Sequence, residues 1–394
     1  MAVQGPLSGI TVLDLTRVLA GPNCTAILYK LGARIIKVEN PVGGDDARQF
    51  PPFLPDGESA YASVMNHGKE SIALDTRRNP DDKLLFDELV KRVDILVENF
   101  RPGVLTRLGY DDATLLKLNP RLIISHISGF GQTGPASQLP SYDLVAQGMS
   151  GLMSLTGEKN RQPVKAGISL GDITGGVFAA LSICAALFDR SKHGKGVSLD
   201  MALSDVLMSL MPIEFITYTV GRKIPQPTGT RHRLIAPFDV FHAKDKDLIV
   251  CAANDHIYVA ICEVLGKPEL ATDERFATNP KRVENVEVLE AIMNAILATK
   301  TAAEWIAEFK EKGVPCGPIN RLDEVLAEPQ IQHRQMEAHF AEGYAPEATF
   351  PGNPLKSSLY NDVTEYPRGP KLNEHAQAIK QWVKETPAKP LPTI

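Results

Sequence analysis

From residue 8 to residue 200 the chain alternates short β-branched runs with helical stretches, and this alternation limits the fold more than any other feature. Ile10–Leu15 (ITVLDL) has the length and composition of a strand. Gly21–Gly32 (GPNCTAILYKLG) opens with Pro and closes on Gly, as helices do, and Arg34–Glu39 (RIIKVE) reads as a second strand. The pattern then repeats. Ser71–Asp75 is a strand, Asp81–Val93 an amphipathic helix with Leu84, Leu85, Leu89, Val90 and Val93 on one face, and Asp94–Glu98 the next strand. Pro102–Leu108 reads as a short helix and Arg121–Ile127 as a further strand. Successive β-α-β units demand parallel strands, so the expected fold is α/β: a doubly wound, Rossmann-like large domain with ligands at the carboxyl ends of its strands.

The 394 residues suffice for two domains at about 100–200 residues each. Residues 1–204 are the expected large α/β domain and 205–229 a linker. In that linker DVLMSLMPIEFITYTV reads as a long apolar helix interrupted at Pro212, before Pro225, Pro227 and Gly229. Residues 230–325 form a smaller α+β domain: PFDVFHAKDKDLIVCAAND gives two strands joined at Ala243–Asp247, with helices at His256–Leu265, Val286–Leu297 and Ala302–Lys312. Residues 326–394 are a return linker and the C-terminal part of the large domain, with Pro-rich loops over Pro346–Pro354 and a helix at Glu374–Glu385.

A hydrophobic fraction of 43%, a charged fraction of 23% and a net charge of -5 describe a soluble globular chain without the basic excess that nucleic acid attracts. MAVQGPLSGI carries no basic n-region followed by an apolar core, and about 18 uncharged apolar residues nowhere run together. The expectation is a cytoplasmic protein with no membrane or nucleic-acid partner. Cys24, Cys184, Cys251, Cys262 and Cys316 lack CxxC spacing and read as buried free thiols, with neither a metal site nor a disulfide framework.

Within Val164–Asp205 lies Asp172, between Gly171 and Ile173-Thr174-Gly175-Gly176; Val177, Ala180, Leu181, Cys184, Leu187 and Phe188 then recur at helical spacing. That places a carboxylate at the mouth of a buried helix. As an N-cap it would need no further role. Yet Gly167, Gly171, Gly175 and Gly176 strip side chains from both flanks of the acid, as a closely approaching ligand requires. A bare carboxylate is a candidate nucleophile.

The order GISLGD, two residues, GG, an Ala-rich helix and HGKGVSLDMALSD resembles the core of the class III (CaiB/BaiF-type) CoA-transferases, in the transferase branch rather than the α-methylacyl-CoA racemase branch. The resemblance runs through most of the chain. It implies that Asp172 carries the acyl group, and that an interlocked homodimer forms from two subunits threaded like linked rings. It also implies a coenzyme A thioester as substrate, with no permanently bound cofactor. Matched motif by motif, the family's CoA-binding positions are Val18 and Leu19 in TRVLAGP, Leu74, Thr76 and Arg77 in ALDTR, Asn99, Phe100 and Arg101 in ENFRPG, and Arg107 in TRLGY. The resemblance further implies that Tyr142, with Asp143, joins the GFGQTG loop in lining the CoA and acyl site. CoA chemistry suits such a set: cations or amides for the 3′-phosphate and pyrophosphate, and an apolar slot for adenine.

Departures from the family pattern carry information. Leu19 stands where formyl-CoA transferases have Gln, and their Gly-only loop has no counterpart, which argues against a formyl/oxalate pair. In the racemase branch a His precedes the Asp, whereas here it is Tyr142; with an ordinary pKa of about 10, Tyr is a poor replacement for a histidine base. Gly129–Gly134 formally matches GxGxxG, but Pro135 and ASQLPS follow in place of the helix that a dinucleotide phosphate needs. His126, inside an apolar strand, reads as a satisfied core histidine. Arg231, His232 and Arg233 in TRHR are either a solvated charge run or, through Arg231 or Arg233, a clamp for the distal carboxylate of a dicarboxylic acyl group.

The function expected from these residues is CoA transfer from an acyl-CoA donor, succinyl-CoA by preference, to a small carboxylate acceptor of the itaconate, mesaconate, citramalate or oxalate class. Aspartyl-acyl anhydride and aspartyl-CoA thioester intermediates would form on Asp172. The alternatives are an acyl-CoA racemase or epimerase and a non-catalytic CoA-binding protein.

Overall fold

Thr11–Asp14 (β1) runs into Ala20–Lys30 (α1) and back through Arg34–Glu39 (β2), the β-α-β unit that the sequence predicts. Next come Ala60–Met65 (α2), Glu70–Ala73 (β3), Pro80–Val90 (α3), Ile95–Glu98 (β4), Val104–Arg107 (α4), Asp112–Leu118 (α5) and Ile123–Ser128 (β5). Asp143–Met149 (α6), Leu170–His193 (α7), Val197–Ala202 (β6), Leu203–Ser209 (α8) and Pro212–Thr219 (α9) complete this part. This computed structural model describes residues 3–389.

All six strands are parallel, in the order β3-β2-β1-β4-β5-β6. Strand order therefore reverses between β1 and β4, and in a doubly wound sheet the crevice beyond the carboxyl ends at that point is where ligands bind. Period-two alternation splits the inner strands β2, β1, β4 and β5 between two cores. Val12, Ile35, Ile95, Val97 and Ile123 face one core with α1 and α7, whereas Leu13, Ile36, Ile72, Leu96 and Ile124 face the other with α3 and the last helix. Burying one such aliphatic side chain stabilises the fold by about 1.5–3 kcal/mol, so flipping a strand by one residue would be prohibitive.

The second unit comprises Ser154–Val164 and Ile224–Glu328. Phe238–His242 (β7), Asp247–Cys251 (β8), Asp255–Val264 (α10), Asn279–Glu284 (α11), Val286–Leu297 (α12), Ala302–Glu311 (α13), Cys316–Pro318 (β9) and Leu322–Leu326 (α14) follow one another. Its antiparallel sheet β7-β8-β9 shares a core with α10, α12 and α13. The chain then rejoins the first unit through Pro329–His333 (α15), Glu337–Phe340 (β10), Thr349–Pro351 (β11), Glu365–Tyr366 (β12) and Ala376–Glu385 (α16).

Several local expectations change. Residues 203–219 form two helices, because Pro212 starts α9 at its first turn and the segment up to Lys223 packs with the large unit instead of acting as a linker. Ser154–Val164 belongs to the second unit. The Pro-rich stretch contains β11, which pairs antiparallel with β10. By length and composition alone α7 could cross a membrane, but its Ala179, Ala180, Ile183 and Ala186 face the core with α1.

Candidate active site

A cleft of about 830 Å³ lies beyond the carboxyl ends of β1 to β4. Its walls come from Leu15–Arg17 after β1, Asn40–Val42 and Gly44–Asp45 after β2, Leu74–Arg78 after β3, and Asn99–Arg101 after β4, with Ser141 and Tyr142 on another side. Thus Leu74, Thr76, Arg77, Asn99, Phe100, Arg101 and Tyr142, seven of the positions singled out for CoA, line one cleft. Val18 and Leu19 sit just past its lining, where the chain turns into α1, and Arg107 lies exposed at the end of α4.

The cleft is cationic by construction. Asp75 accepts the backbone N–H groups of Arg77 and Arg78 at 3.2 and 3.1 Å, forming the turn that holds both arginines on the wall. Arg17 lies over the Phe100 ring at 5.9 Å and pairs with Asp46 at 3.2 Å. Phe86, Leu105, Leu108 and Tyr110 supply the apolar floor. Four guanidinium groups beside an apolar slot match a ligand with several anionic oxygens and a flat ring. Arg17 and Arg78 were missed in the sequence, although Arg17 lies inside TRVLAGP and Arg78 directly follows ALDTR.

Asp172 is the third residue of α7, and it does not cap that helix. Asp143, buried at the start of α6, does: its Oδ1 accepts the N–H groups of Gly171 at 2.7 Å and Asp172 at 3.3 Å. Gln147, one turn later, donates to Asp143 Oδ2 at 2.6 Å and accepts the Ala166 N–H at 2.9 Å. With the first amides of the helix taken by Asp143, the half-buried Asp172 carboxylate has no capping duty. Burial, reinforced by the Asp143 charge, pushes its pKa up to about 7. Near pH 7 this carboxylate is therefore partly protonated. Tyr61 on α2 faces it, and burial together with the Asp172 charge pushes that phenol up to about 12.

The glycines around Asp172 serve the protein's own packing. A Cβ on Gly176 would meet Ala20 O at 2.6 Å, one on Gly175 would meet Leu203 at 2.4 Å, and one on Gly171 the Asp143 carboxylate at 3.0 Å. Only Gly167 opens onto free space. The ligand-approach explanation is corrected for the other three: they let α7 lie close against α1 and α8. Asn23 on α1 seals the contact by donating to Ile173 O at 3.0 Å.

The remaining candidates resolve clearly. His126 bridges Glu98 at 2.5 Å and Asp112 at 3.0 Å; burial would lower its pKa, but these carboxylates overcome that and hold it at about 9, a charged structural histidine. No helix follows GFGQTG until Asp143, and Gly131 and Gln132 donate instead to Ser128 Oγ and Asp200 Oδ2. In the second unit, Arg231 gives its Nε–Nη2 fork to Glu290, with Asp239 at 3.7 Å, so that fork is closed to a substrate carboxylate. Arg233 donates to Gln226 O, and His232 packs on Phe238 while accepting the Leu234 N–H. The clamp expected of Arg231 is not what the structure builds.

A six-stranded doubly wound sheet with an arginine-lined cleft at its switch point, and a glycine-rich helix carrying a half-buried carboxylate, define an α/β architecture suited to a ligand with several anionic oxygens. Residues 7–376 match CoA-transferase family III, and the chain belongs to that family. It is 42% identical to the acetyl-CoA:oxalate CoA-transferase of Acetobacter aceti, over 96% of both chains. It is 39% identical to the succinate–glutarate CoA-transferase of Agrobacterium fabrum, over 95% of this chain and 94% of that one. A crystal structure of a CaiB/BaiF family protein from Brucella suis superposes with a TM-score of 0.85 at 37% identity, covering 96% of this chain and 99% of the other. The chain is an enzyme of the CoA-transferase class.

Proposed function

We propose that this enzyme moves CoA from an acyl-CoA donor, succinyl-CoA by preference, to a small dicarboxylate, with Asp172 as the covalent relay. The observation that carries this reading is the division of labour at the start of α7: Asp143 satisfies the helix amides and leaves a carboxylate of raised pKa uncommitted beside it. An Asp172 carboxylate oxygen attacks the donor thioester carbonyl; the C–S bond breaks, giving a mixed anhydride and CoA thiolate. The thiolate attacks Asp172 Cγ, and the donor acid leaves as its carboxylate. An acceptor carboxylate attacks the resulting aspartyl-CoA thioester, expelling thiolate and forming a second anhydride. Thiolate attack on the acceptor carbonyl then releases the new acyl-CoA and restores Asp172.

The cleft supports CoA through Arg17, Arg77, Arg78 and Arg101 for its phosphates, with Phe86, Phe100 and Tyr110 offering an adenine surface. The names of the oxalate and glutarate relatives support a dicarboxylate acceptor. A cytoplasmic homodimer completes the proposal. Incubation with succinyl-CoA and hydroxylamine, followed by peptide mass analysis, is expected to show a hydroxamate at Asp172. Modification elsewhere, or full activity in Asp172→Ala, overturns the assignment. Deuterium exchange at the acyl α-carbon without any acceptor acid would reveal a racemase instead.

A further inference from the structure

Val18 is a β-branched residue at φ +65°, in the left-handed region that such side chains disfavour. It follows the Thr16–Arg17 segment on the cleft wall and precedes α1, the helix packed on α7 beside Asp172. Such a conformation persists only where its surroundings over-determine it.

Here the surroundings are side chains. Asp14 Oδ1 accepts the Thr16 N–H at 2.8 Å, and Lys37 Nζ donates to Thr16 O at 2.7 Å. Asn99 engages Arg17 twice, accepting its N–H and donating to its C=O, both at 2.8 Å. Asp45 Oδ1 accepts the Val18 N–H at 3.0 Å. Asp45 is itself fixed: Lys37 lies 3.0 Å away, the Ala47 N–H reaches Oδ1, and its own N–H donates to Glu39, which Arg48 and Ser71 hold. Asp14, Lys37, Glu39 and Asp45 are all buried. Asn99, matched by motif to a CoA contact, has both ends of its amide committed to the backbone of Arg17.

We propose that Asp45 and Asn99 are positioning residues that clamp the Thr16–Val18 turn, fixing the cleft wall relative to the helix that packs beside Asp172. This rests on the transferase reading above. Their side chains act through the backbone and need not touch substrate. The clamp sets where a thioester leaving the cleft arrives, and a displacement of about 1 Å can cost about 10²-fold in rate.

The test is a double-mutant cycle with Val18→Gly, since glycine adopts the left-handed conformation without a Cβ penalty. Asn99→Ala and Asp45→Ala are each expected to lower kcat/KM for the acyl-CoA about tenfold or more in the native background, and about threefold or less combined with Val18→Gly. Hydrogen exchange at the Arg17 and Val18 amides is expected to accelerate in both single variants. Should Asp45→Ala fail to fold because Lys37 loses its partner, Asn99→Ala decides, as it leaves no buried charge unpaired. Equal losses in both backgrounds, or unchanged exchange in Asn99→Ala, overturns the clamp. Wild-type enzyme lacking transfer activity would instead defeat the transferase reading, leaving exchange to decide the clamp.

Discussion

Two carboxylates share the start of α7, and their difference in surroundings divides their roles. Asp143 is hydrogen-bonded to amides and to Gln147, whereas Asp172 is desolvated beside a like charge and held near 7. In the proposed relay the ionised form of Asp172 is the nucleophile, so kcat/KM is expected to fall about tenfold per pH unit below about 7 and to level off above it. Asp143→Asn removes the neighbouring charge and should move this limb to lower pH, which a pH–rate profile with saturating acceptor will show. The same raised pKa fixes a sign in stability. Between the ordinary carboxylate value and about 7 the folded state holds a proton that the unfolded state has lost, so stability declines as pH rises through that window. Asp172→Asn should therefore melt higher than wild type at pH 8 and no higher at pH 4, with transfer abolished at both. His67 gives the opposite slope. Burial, then the Lys30 charge, pushes its pKa down to about 3, and its ring sits among Tyr29, Phe350 and Tyr366. The unfolded state alone takes up that proton between pH 6.5 and about 3, so stability is lost on acidification across this range. His67→Phe should flatten that dependence in thermal melts at pH 4 to 7. The sequence places Asp172 in the first turn of a helix; that Asp143 caps this helix was not legible, because it is 29 residues distant and only the fold joins them.

At the scale of elements, the helical spacing after Asp172 announces α7, and the Ala and Gly content announces close packing without saying against what. The structure supplies the partner: α1 crosses at Gly176 and α8 at Gly175. These contacts differ in hardness. A methyl on Gly176 would press on backbone, Ala20 O and Cys24 N, whereas one on Gly175 would press on the far end of Leu203. Gly176→Ala is thus expected to destabilise by about 1–3 kcal/mol, as overpacking does, and Gly175→Ala by clearly less, both read from denaturant midpoints. Because α1 carries the clamped turn at its start, Gly176→Ala should also raise the acyl-CoA KM. Strands were the most readable elements, since both faces of a parallel sheet are buried and the apolar runs are unmistakable. The short helices α2, α5 and α6 were not read, having too few turns for periodicity to show.

For the molecule as a whole, alternation of strands and helices foretold the parallel sheet, and strand-end motifs foretold most of the cleft. Long-range closure was less visible: α16 returns more than 300 residues later to lie by β3, with the His375 N–H on Ser71 O and Arg34 over Trp382 at 4.5 Å. One feature remains unbalanced in a single chain. Helix α9, PIEFITYT, is apolar yet has no buried residue, and Ile213, Phe215, Ile216 and Tyr218 are all exposed. Val177, Leu181 and Phe188 expose a second apolar row on α7. A helix exposing Ile213, Phe215, Ile216 and Tyr218 together leaves more apolar surface in water than a solvated helix does, and such surface marks an association face. A second copy of the same chain supplies matching apolar surface, as a two-fold interface requires. Light scattering is therefore expected to give twice the chain mass, and Ile216→Asp combined with Phe215→Glu to shift the protein toward monomer. A monomeric wild type at micromolar concentration would refute the dimer while leaving the cleft, the relay acid and the clamped turn as they stand.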